Sequence, residues 1–365
     1  MIDYYGQWGQ YVDGIGRFAR RQARTLATRI PVTMRLWPEQ WVQAEALEEV
    51  APLVKLGVVY PAPVRVMTTT LQEGIREVPP MPKRSVAYVM FERDRVAMSL
   101  AERLEREPAQ VWVPCRQNAE ALIAQGVSPA KVRVVPFSYD PDPRAPGEVR
   151  ARESVPVGDL LALGPRRFYT MGAWQPRKNH DVLIGAFLSA FGPNDGASLL
   201  IKTRNARAPL ETLDNWVNRF GLKWSAAESR RCVQIVDGEA SQQDIRMMHA
   251  MHNIYVSASH GEGWEMPAFD AVLSGNTLVH VPYGATDDWA PASSIRVPYR
   301  MAPVPSWFAK ANGWPIHAEW AYCSVDALAE ALQQALPGSS WNSDLSAYSV
   351  ERVAATMHRN LEELL

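Results

Sequence analysis

Short runs of β-branched and aromatic residues alternate with amphipathic helical segments along most of this chain. In the first half the apolar run Ser85–Met90 precedes a helical pattern at Met98–Arg106, and another apolar run, Val111–Pro114, follows. This pattern predicts buried strands joined by crossover helices. We therefore expect an α/β protein whose parallel sheets carry helices on both faces.

The alternation extends over 365 residues, which is long enough for two domains of ordinary size. A stretch rich in Pro, Asp, Arg and Gly, Ser138–Ser154, predicts a linker. We therefore place an N-terminal domain at 1–155 and a C-terminal domain at 156–345. The last segment, 346–365, has apolar residues at helical spacing and predicts an amphipathic terminal helix.

Composition narrows the class of protein. The chain is 47% hydrophobic and 21% charged, as expected for a globular protein with a large core, and its net charge of −1 creates no field that attracts polyanions. Its three cysteines have neither disulfide nor metal-ligand spacing, which predicts a cytoplasmic location. The sequence predicts no membrane span and no metal site, because long uncharged apolar runs and clustered ligand residues are both missing from it.

A glycine turn that carries Glu262 is the most specific indication of function. It follows a predicted strand at Asn253–Val256 and precedes a helix that begins near Pro267. Unpaired N–H groups at the start of such a helix bind anions. Asp270 adds a second carboxylate eight residues after Glu262. This stretch therefore predicts a site for an anion and for hydroxyl groups.

A second glycine turn begins the predicted C-terminal domain. The strand Phe168–Gly172 leads into the adjacent cations Arg177 and Lys178, and a helix at Asp181–Phe191 follows. A guanidinium fork and an ammonium group on one loop can both reach the same diphosphate. We interpret this turn as a phosphate site, with a solvated charge pair as the alternative.

The predicted strand Ser85–Met90 ends in a charged loop that contains Glu92 and Asp94. Open α/β sheets bind ligands at the carboxyl ends of their strands, so either acid is a candidate for substrate contact. A helix cap or a surface ion pair is an equally good interpretation of each.

Near the N-terminus, a glycine-rich turn that includes Gly16 precedes a predicted helix, Ile15–Ile30. Such a turn is a weak indication of phosphate binding, since G-x-G recurs by chance. The helix carries a basic stripe, which we expect to be a solvated face more often than a docking surface for phosphates or anionic lipid. Its members are Arg17, Arg20, Arg21 and Arg24.

The segment from Glu262 to Asp270 reads E-G-W-E-M-P-A-F-D and resembles the E-G-F-G-L-P-x-x-E signature of glycosyltransferase family 4. The segments at 85–137 and 165–290 resemble this family as well. Members are retaining enzymes of the GT-B fold, in which two Rossmann-like domains enclose a cleft and a C-terminal helix packs back on the first domain. This chain departs from the family pattern at Ala173, Trp264, Glu265 and Asp270.

The resemblance implies a role for each matching residue. It assigns Glu262 to the donor-sugar hydroxyls, Asp270 to the nucleotide ribose, and Arg177 and Lys178 to the donor diphosphate, while Glu92 lies in the loop that meets sugar and acceptor. We take Glu262, Arg177, Lys178 and Glu92 as candidate catalytic residues. The implied donor-binding residues are Gly16, Gly172, Gly263, Trp264, Glu265, Met266, Asp270 and Ile235.

The resemblance also implies transfer of a hexose from a UDP- or GDP-linked sugar to a hydroxyl group, without metal or other cofactor. The acceptor is left open as a glycan, a lipid-linked or a small molecule, with peripheral membrane contact possible. One alternative is a hydroxymethylated base of DNA, to which the basic stripe would bind. Another is a non-catalytic relative that only binds nucleotide.

Overall fold

The computed structural model describes residues 1–6, 14–36, 42–54, 64–70, 81–139, 164–204, 224–338 and 344–365. Three predicted features lie outside these ranges: the strand at 58–60, the helix at 210–220 and most of the linker at 138–154. The domain boundary at 155 therefore stays a prediction.

The described part of the N-terminal domain contains a parallel six-stranded sheet in the order β2-β1-β3-β4-β5-β6. Four helices accompany it: α1 (Gly14–Ala27), α2 (Ala44–Val50), α3 (Met98–Arg106) and α4 (Arg116–Ala124). The strands are β1 (Ile2–Gly6), β2 (Val32–Leu36), β3 (Val64–Thr70), β4 (Ser85–Met90), β5 (Gln110–Val113) and β6 (Val132–Val134).

The sequence pattern between Glu39 and Leu56 predicts a helix, and the helix in the structure is shorter. Residues 42 and 43 are not helical, α2 starts at Ala44, and a single 3₁₀ turn at Ala51–Leu53 follows it. Pro52 lies in that turn, and because proline has no N–H it cannot continue the α-helical bonding pattern.

The C-terminal domain has a second parallel six-stranded sheet in its described part, in the order β12-β11-β10-β7-β8-β9. In this doubly wound order, later strands are added on one side of β7 up to β9 and on its other side from β10 onward. Ligands are expected beside the carboxyl ends of β7 and β10, where the order of the strands reverses. The strands are β7 (Arg166–Met171), β8 (Ala197–Thr203), β9 (Val233–Asp237), β10 (Ile254–Ser257), β11 (Thr277–His280) and β12 (Ile295–Arg296). The predicted α/β class with two parallel sheets is confirmed.

Eight described helices follow in the second half of the chain. Two of them, α5 (His180–Ala190) and α8 (Met266–Leu273), begin just after the turns next to β7 and β10. The others are α6 (Ala226–Ser229), α7 (Gln242–Met251), α9 (Ala285–Trp289), α10 (Ser306–Ala311), α11 (Val325–Gln334) and α12 (Val350–Glu362).

An antiparallel hairpin, β13 (Arg300–Pro303) with β14 (Glu319–Tyr322), was not predicted from the sequence. It encloses α10 and a small apolar cluster that includes Phe308, Trp314 and Trp320. Prolines within and beside β13 obscure the alternation of apolar and polar residues by which a strand is recognised.

The terminal helix α12 packs back on the N-terminal domain, as predicted. Val353, Met357 and Leu361 are buried in the same apolar cluster as residues of the first sheet and of α1. The side-chain amide of Gln110 also donates to the carbonyl of Asn360 at 2.8 Å. The chain therefore ends on the domain in which it began.

Candidate active site

A cavity of about 420 Å³ lies at the carboxyl ends of β7 and β10, between the two domains. Its size is within the range of small-molecule sites. Ten of the predicted site residues line it: Glu92, Gly172, Arg177, Lys178, Glu262, Gly263, Trp264, Glu265, Met266 and Asp270. The turns predicted from sequence to bind phosphate and hydroxyl groups thus meet in one place.

Arg177 is the centre of a buried ion cluster. It lies in a 3₁₀ turn, and its guanidinium contacts Glu262 Oε1 at 2.6 Å, the carbonyl of Gly261 at 2.8 Å and Glu92 Oε1 at 3.4 Å. Its own carbonyl accepts from the N–H of His260 at 2.8 Å. Burial opposes the charge of Arg177, but the two carboxylates outweigh it and raise the pKa. Arg177 therefore fixes the positions of both predicted acids.

Lys178 contacts the same oxygen of Glu262 as Arg177 does. Its Nζ lies 2.6 Å from Glu262 Oε1 and 3.9 Å from Glu265 Oε1. Although burial favours the neutral form of Glu262, the charges of Arg177 and Lys178 lower its pKa. Glu262 is therefore an ionised acceptor facing the cavity.

Glu265 precedes α8 with a φ of +65°, in the left-handed region that favours glycine. Its Oε2 accepts from Ser257 Oγ at 2.6 Å. Burial, followed by the negative charge of Glu262, raises the pKa of Glu265 to about 7. Two acids of the same cavity thus differ in charge, because Glu262 is ionised while Glu265 can hold a proton near neutral pH.

Asp270 contacts the N-terminal domain at the wall of the cavity. Its carboxylate lies 3.7 Å from Arg17 Nη2 and 3.9 Å from Arg21 Nη1, both on α1. Burial lowers the pKa of Arg17, and the charge of Asp270 opposes this shift. Arg17 lines the cavity together with Asp270. An interdomain ion cluster therefore occupies the place where the resemblance puts the ribose.

The expectation that the basic stripe is a solvated face is wrong for three of its four members. Arg17 and Arg21 point to Asp270, and the fully buried side chain of Arg20 contacts Glu49 Oε2 at 2.6 Å. Of the four, Arg24 is half exposed. The stripe lies where α1 meets α2 and the other domain, and partners so distant in sequence cannot be identified from helical spacing.

Two predicted donor-binding residues do not line the cavity. Gly16 lies inside the first turns of α1, and Ile235 lies within β9, packed against the core of the second domain. The cavity next to β9 is instead lined by residues that follow the end of the strand, among them Gly238 and Glu239. In both cases the predicted residue belongs to a regular element rather than to the adjoining loop.

The two candidate acids in the loop after β4, Glu92 and Asp94, have different surroundings. Glu92 lines the cavity, whereas Asp94 accepts from the N–H of Glu319 at 2.6 Å. The indole N–H of Trp320 donates to the carbonyl of Glu92 at 3.2 Å. The β13–β14 hairpin therefore holds this loop, and Asp94 has a structural role.

Two glycines allow the domains to approach each other beside Glu262. A Cβ atom on Gly261 would lie 2.5 Å from the carbonyl oxygen of Glu92, and one on Gly263 would lie 2.7 Å from Met90 Cγ. Such distances are shorter than any van der Waals contact. A larger residue at 261 would displace the backbone of Glu92 in the other domain, whereas one at 263 would displace the side chain of Met90.

Sequence reasoning missed several lining residues, among them Arg17, Lys202 and Arg204. Lys202, the last residue but one of β8, donates to the carbonyl of Thr203 at 2.9 Å and to that of Gly238. The rule that carboxyl ends of parallel strands share one edge would have identified Lys202 and Arg204. Arg17 could not be identified in this way, because it belongs to a helix of the other domain.

No protein-family model and no curated protein matches this chain. Solved structures match over its whole length. HepE from Anabaena aligns with 13% identity and a TM-score of 0.66, covering 100% of both chains. Sucrose-phosphate synthase from Thermosynechococcus elongatus aligns with 13% identity and a TM-score of 0.60, covering 100% of this chain and 98% of the other.

A glycosyltransferase from Rickettsia africae aligns with 11% identity and a TM-score of 0.57, over 100% of this chain and 98% of its own. These likenesses, with the two doubly wound sheets and the returning terminal helix, decide the fold. The chain has the GT-B fold. At such low identity the comparison establishes the architecture alone.

In this GT-B architecture the cavity occupies the cleft between the domains, with Glu92 and Arg17 on one wall and the turns after β7 and β10 on the other. Among the residues described, no three His, Cys, Asp or Glu side chains are arranged to hold a metal ion. None of the described helices is long and apolar enough to cross a bilayer.

Proposed function

We propose that this protein is a retaining, metal-independent glycosyltransferase of family 4 type, which moves a hexose from a UDP- or GDP-linked sugar to a hydroxyl acceptor. The proposal rests on the interdomain cavity with Glu262 at its centre. Two cations lie 2.6 Å from this carboxylate, a helix begins beside it, and Glu92 approaches from the other domain.

The position of the cluster supports a nucleotide-diphosphate ligand. Lys178 and the first turn of α8 lie at the strand edge where doubly wound sheets bind nucleotides, and both favour negative charge. Gly238 and Glu239, after β9, also line the cavity, where their backbone groups would contact the base. All three features belong to the second domain.

The bound ligands of a structural neighbour suggest which nucleotide to test first. HepE has been solved with UDP, with UDP and glucose, and with UDP-glucose. At 13% identity this is a reason to begin with UDP-sugars, not an assignment. GDP-sugars are the second choice.

In the proposed reaction the chain acts mainly by positioning and charge stabilisation. Lys178 and the helix N–H groups would stabilise negative charge as it develops on the leaving diphosphate. Glu262 would accept hydrogen bonds from donor-sugar hydroxyls, and these bonds strengthen as the ring gains positive charge. Retention requires the acceptor hydroxyl to attack from the side of the leaving group, where that diphosphate can accept its proton.

A ligand panel tests the proposal. Thermal unfolding with UDP- and GDP-sugars should identify a donor by a rise in midpoint, because binding to the folded state stabilises it. Donor hydrolysis or transfer to a hydroxyl acceptor should follow, and the anomeric configuration of the product tests retention. Binding without turnover would favour the non-catalytic alternative, and the absence of any stabilising nucleotide would contradict both.

A further inference from the structure

The backbone of Glu265 adopts a conformation that is unfavourable for its residue type. Of the described non-glycine residues, Asn179 and Glu265 have a positive φ, at 55° and 65°. Asparagine adopts this conformation readily, whereas it costs glutamate free energy. The side chain of Glu265 is also only 1% exposed, and the residue lines the cavity. Strain at a cavity wall is found where a residue has a function there.

The groups around Glu265 make its charge unfavourable. Its nearest cation, Lys178, is 3.9 Å away and lies closer, at 2.6 Å, to Glu262. Arg177 is directed to Glu262 and Glu92. Tyr255, on β10, stays neutral because burial raises its pKa, and its hydroxyl donates to a backbone carbonyl. Two carboxylates thus share one ammonium group.

The hydrogen bond from Ser257 determines which oxygen would carry a proton. Ser257 Oγ donates to Oε2, leaving Oε1, the oxygen on the side of Lys178, as the protonation site. A carboxyl protonated there is a hydrogen-bond donor beside the amine that we assign to the diphosphate. The raised pKa of about 7 agrees with this geometry.

We propose that Glu265 takes up one proton from solvent when a nucleotide diphosphate binds, and that its Oε1–H then donates a hydrogen bond to a phosphate oxygen. No covalent bond to the ligand forms or breaks. The inference rests on the proposed function, since it requires a diphosphate next to Lys178.

The charges of the ion cluster explain why diphosphate binding would favour protonation of Glu265. With every group ionised, Arg177 and Lys178 face Glu92, Glu262 and Glu265, so the cluster already carries one excess negative charge. A diphosphate adds more negative charge beside Glu265, which increases the proton affinity of this carboxyl. Protonation removes the repulsion and supplies a donor.

Titration calorimetry of UDP in two buffers with different ionisation enthalpies measures the protons taken up on binding. At pH 7.5 we expect the wild type to take up more protons per UDP than Glu265→Gln does, with a difference of up to about three quarters of a proton, because a pKa of about 7 leaves about a quarter of the free protein already protonated. The affinity of the wild type should weaken as pH rises from 7 to 9, by up to about tenfold per unit, and that of the variant should change less. Comparison with the variant cancels the protonation of UDP itself.

Two controls isolate the effect. Uridine, which has no phosphate, should give no difference between the two proteins. Glu330→Gln removes an exposed acid of α11 that does not line the cavity, and it should keep the wild-type uptake. Should Glu265→Gln fold poorly, Glu265→Gly suits the backbone conformation and also removes the carboxyl.

Equal proton uptake by the wild type and the Glu265 variant would overturn this inference and leave the proposed function intact. A wild type that binds neither UDP nor GDP would overturn both. Greater uptake with UDP by the wild type alone would support the inference.

Discussion

Arg17 of the N-terminal domain lies 3.7 Å from Asp270 of the C-terminal domain, across the wall of the cavity. The contact joins a helix near the start of the chain to the helix that follows the Glu262 turn. Any ligand that reaches Asp270 therefore also meets α1, and nucleotide binding is expected to depend on how the domains are held together.

We predict that Asp270→Asn weakens binding of UDP and of uridine to a similar extent, by about 1.5–3 kcal/mol, as expected for lost bonds to a charged group. Ribose contacts form equally before and during reaction, so turnover at saturating donor should change little. Calorimetry with both ligands and steady-state kinetics measure these effects. Asp270→Glu should retain binding.

Arg24→Ala serves as a control, because Arg24 is half exposed and pairs with Glu49 rather than with Asp270. It should leave nucleotide affinity unchanged. If Asp270→Asn binds both ligands as the wild type does, the ribose assignment is wrong.

Glu262→Gln should reduce turnover more than nucleotide affinity. The amide keeps the shape but loses the charge that accepts sugar hydroxyl bonds, which we expect to strengthen in the transition state. By analogy with the loss of one preorganised polar group, kcat should fall by about 100-fold or more. A stable Glu262→Gln enzyme with full activity would contradict the assignment.

Melting temperature alone cannot test Glu262, because the substitution also leaves Arg177 and Lys178 beside a neutral amide in a buried cluster. Some loss of stability is expected for either role. Glu330→Gln, at an exposed position on α11 outside the cavity, is the matched control, and its kcat should equal that of the wild type.

Substitution of the adjacent cations Lys178 and Arg177 should have different effects on nucleotide binding and on stability. Lys178→Ala is expected to weaken UDP binding by about 1.5–3 kcal/mol and to affect uridine little, as for a charge-assisted bond to phosphate. Lys310→Ala, at an exposed position on α10, is its control. Equal losses for UDP and uridine would show that Lys178 does not contact phosphate.

Arg177→Ala should mainly lower stability. Arg177 contacts Glu262, Glu92 and the carbonyl of Gly261, so its removal leaves buried acceptors without their cation, at a cost of about 3–5 kcal/mol. Denaturant unfolding measures this loss. A stability equal to that of the wild type would show that the cluster tolerates its absence.

The sequence was sufficient to predict the two parallel sheets, since strands such as Ser85–Met90 are short apolar runs between helical patterns. It also predicted the turns after β7 and β10 as binding sites, and the structure brings them together because these two strands are neighbours that end at a common edge. It could not predict that Arg17 and Arg21 meet Asp270. These partners are about 250 residues apart, and only the packing of two domains brings them together.

Glu265 shows a different limit. Its backbone φ of +65° is typical of glycine, and nothing in the residue type indicates such a conformation. The β13–β14 hairpin was missed for a related reason, since prolines hide its alternation. Local sequence propensity therefore did not predict the backbone conformation at positions where tertiary contacts determine it.

We predict that transferase activity survives EDTA. Among the residues that the structure describes, no His, Cys, Asp or Glu cluster is suited to a metal ion, and Lys178 already supplies positive charge at the predicted diphosphate position. Activity assayed with and without chelator tests this. A rate that collapses with EDTA and returns with magnesium or manganese would overturn the metal-independent mechanism.

The pH dependence of stability provides a test that needs no ligand. Folding raises the pKa of Glu265 from 4.5 to about 7, so the native state binds this proton more tightly than the unfolded chain does. Stability is therefore lost as pH rises from about 4.5 to about 7. At about 1.4 kcal/mol per unit, the loss attributable to Glu265 is about 3 kcal/mol.

Glu265→Gln should lack this loss, so its stability relative to the wild type should increase across the same pH range. His180, His249 and His280 have pKa values lowered to about 4 by burial, and they act in the opposite direction, adding stability as pH rises from about 4 to 6.5. Because both proteins contain these histidines, urea unfolding of the pair at several pH values isolates the carboxyl. A difference in unfolding free energy that stays constant between pH 4.5 and 7.5 would contradict the raised pKa of Glu265, because the unfolded chain loses this proton near pH 4.5 whereas a protonated Glu265 would keep it in the folded state.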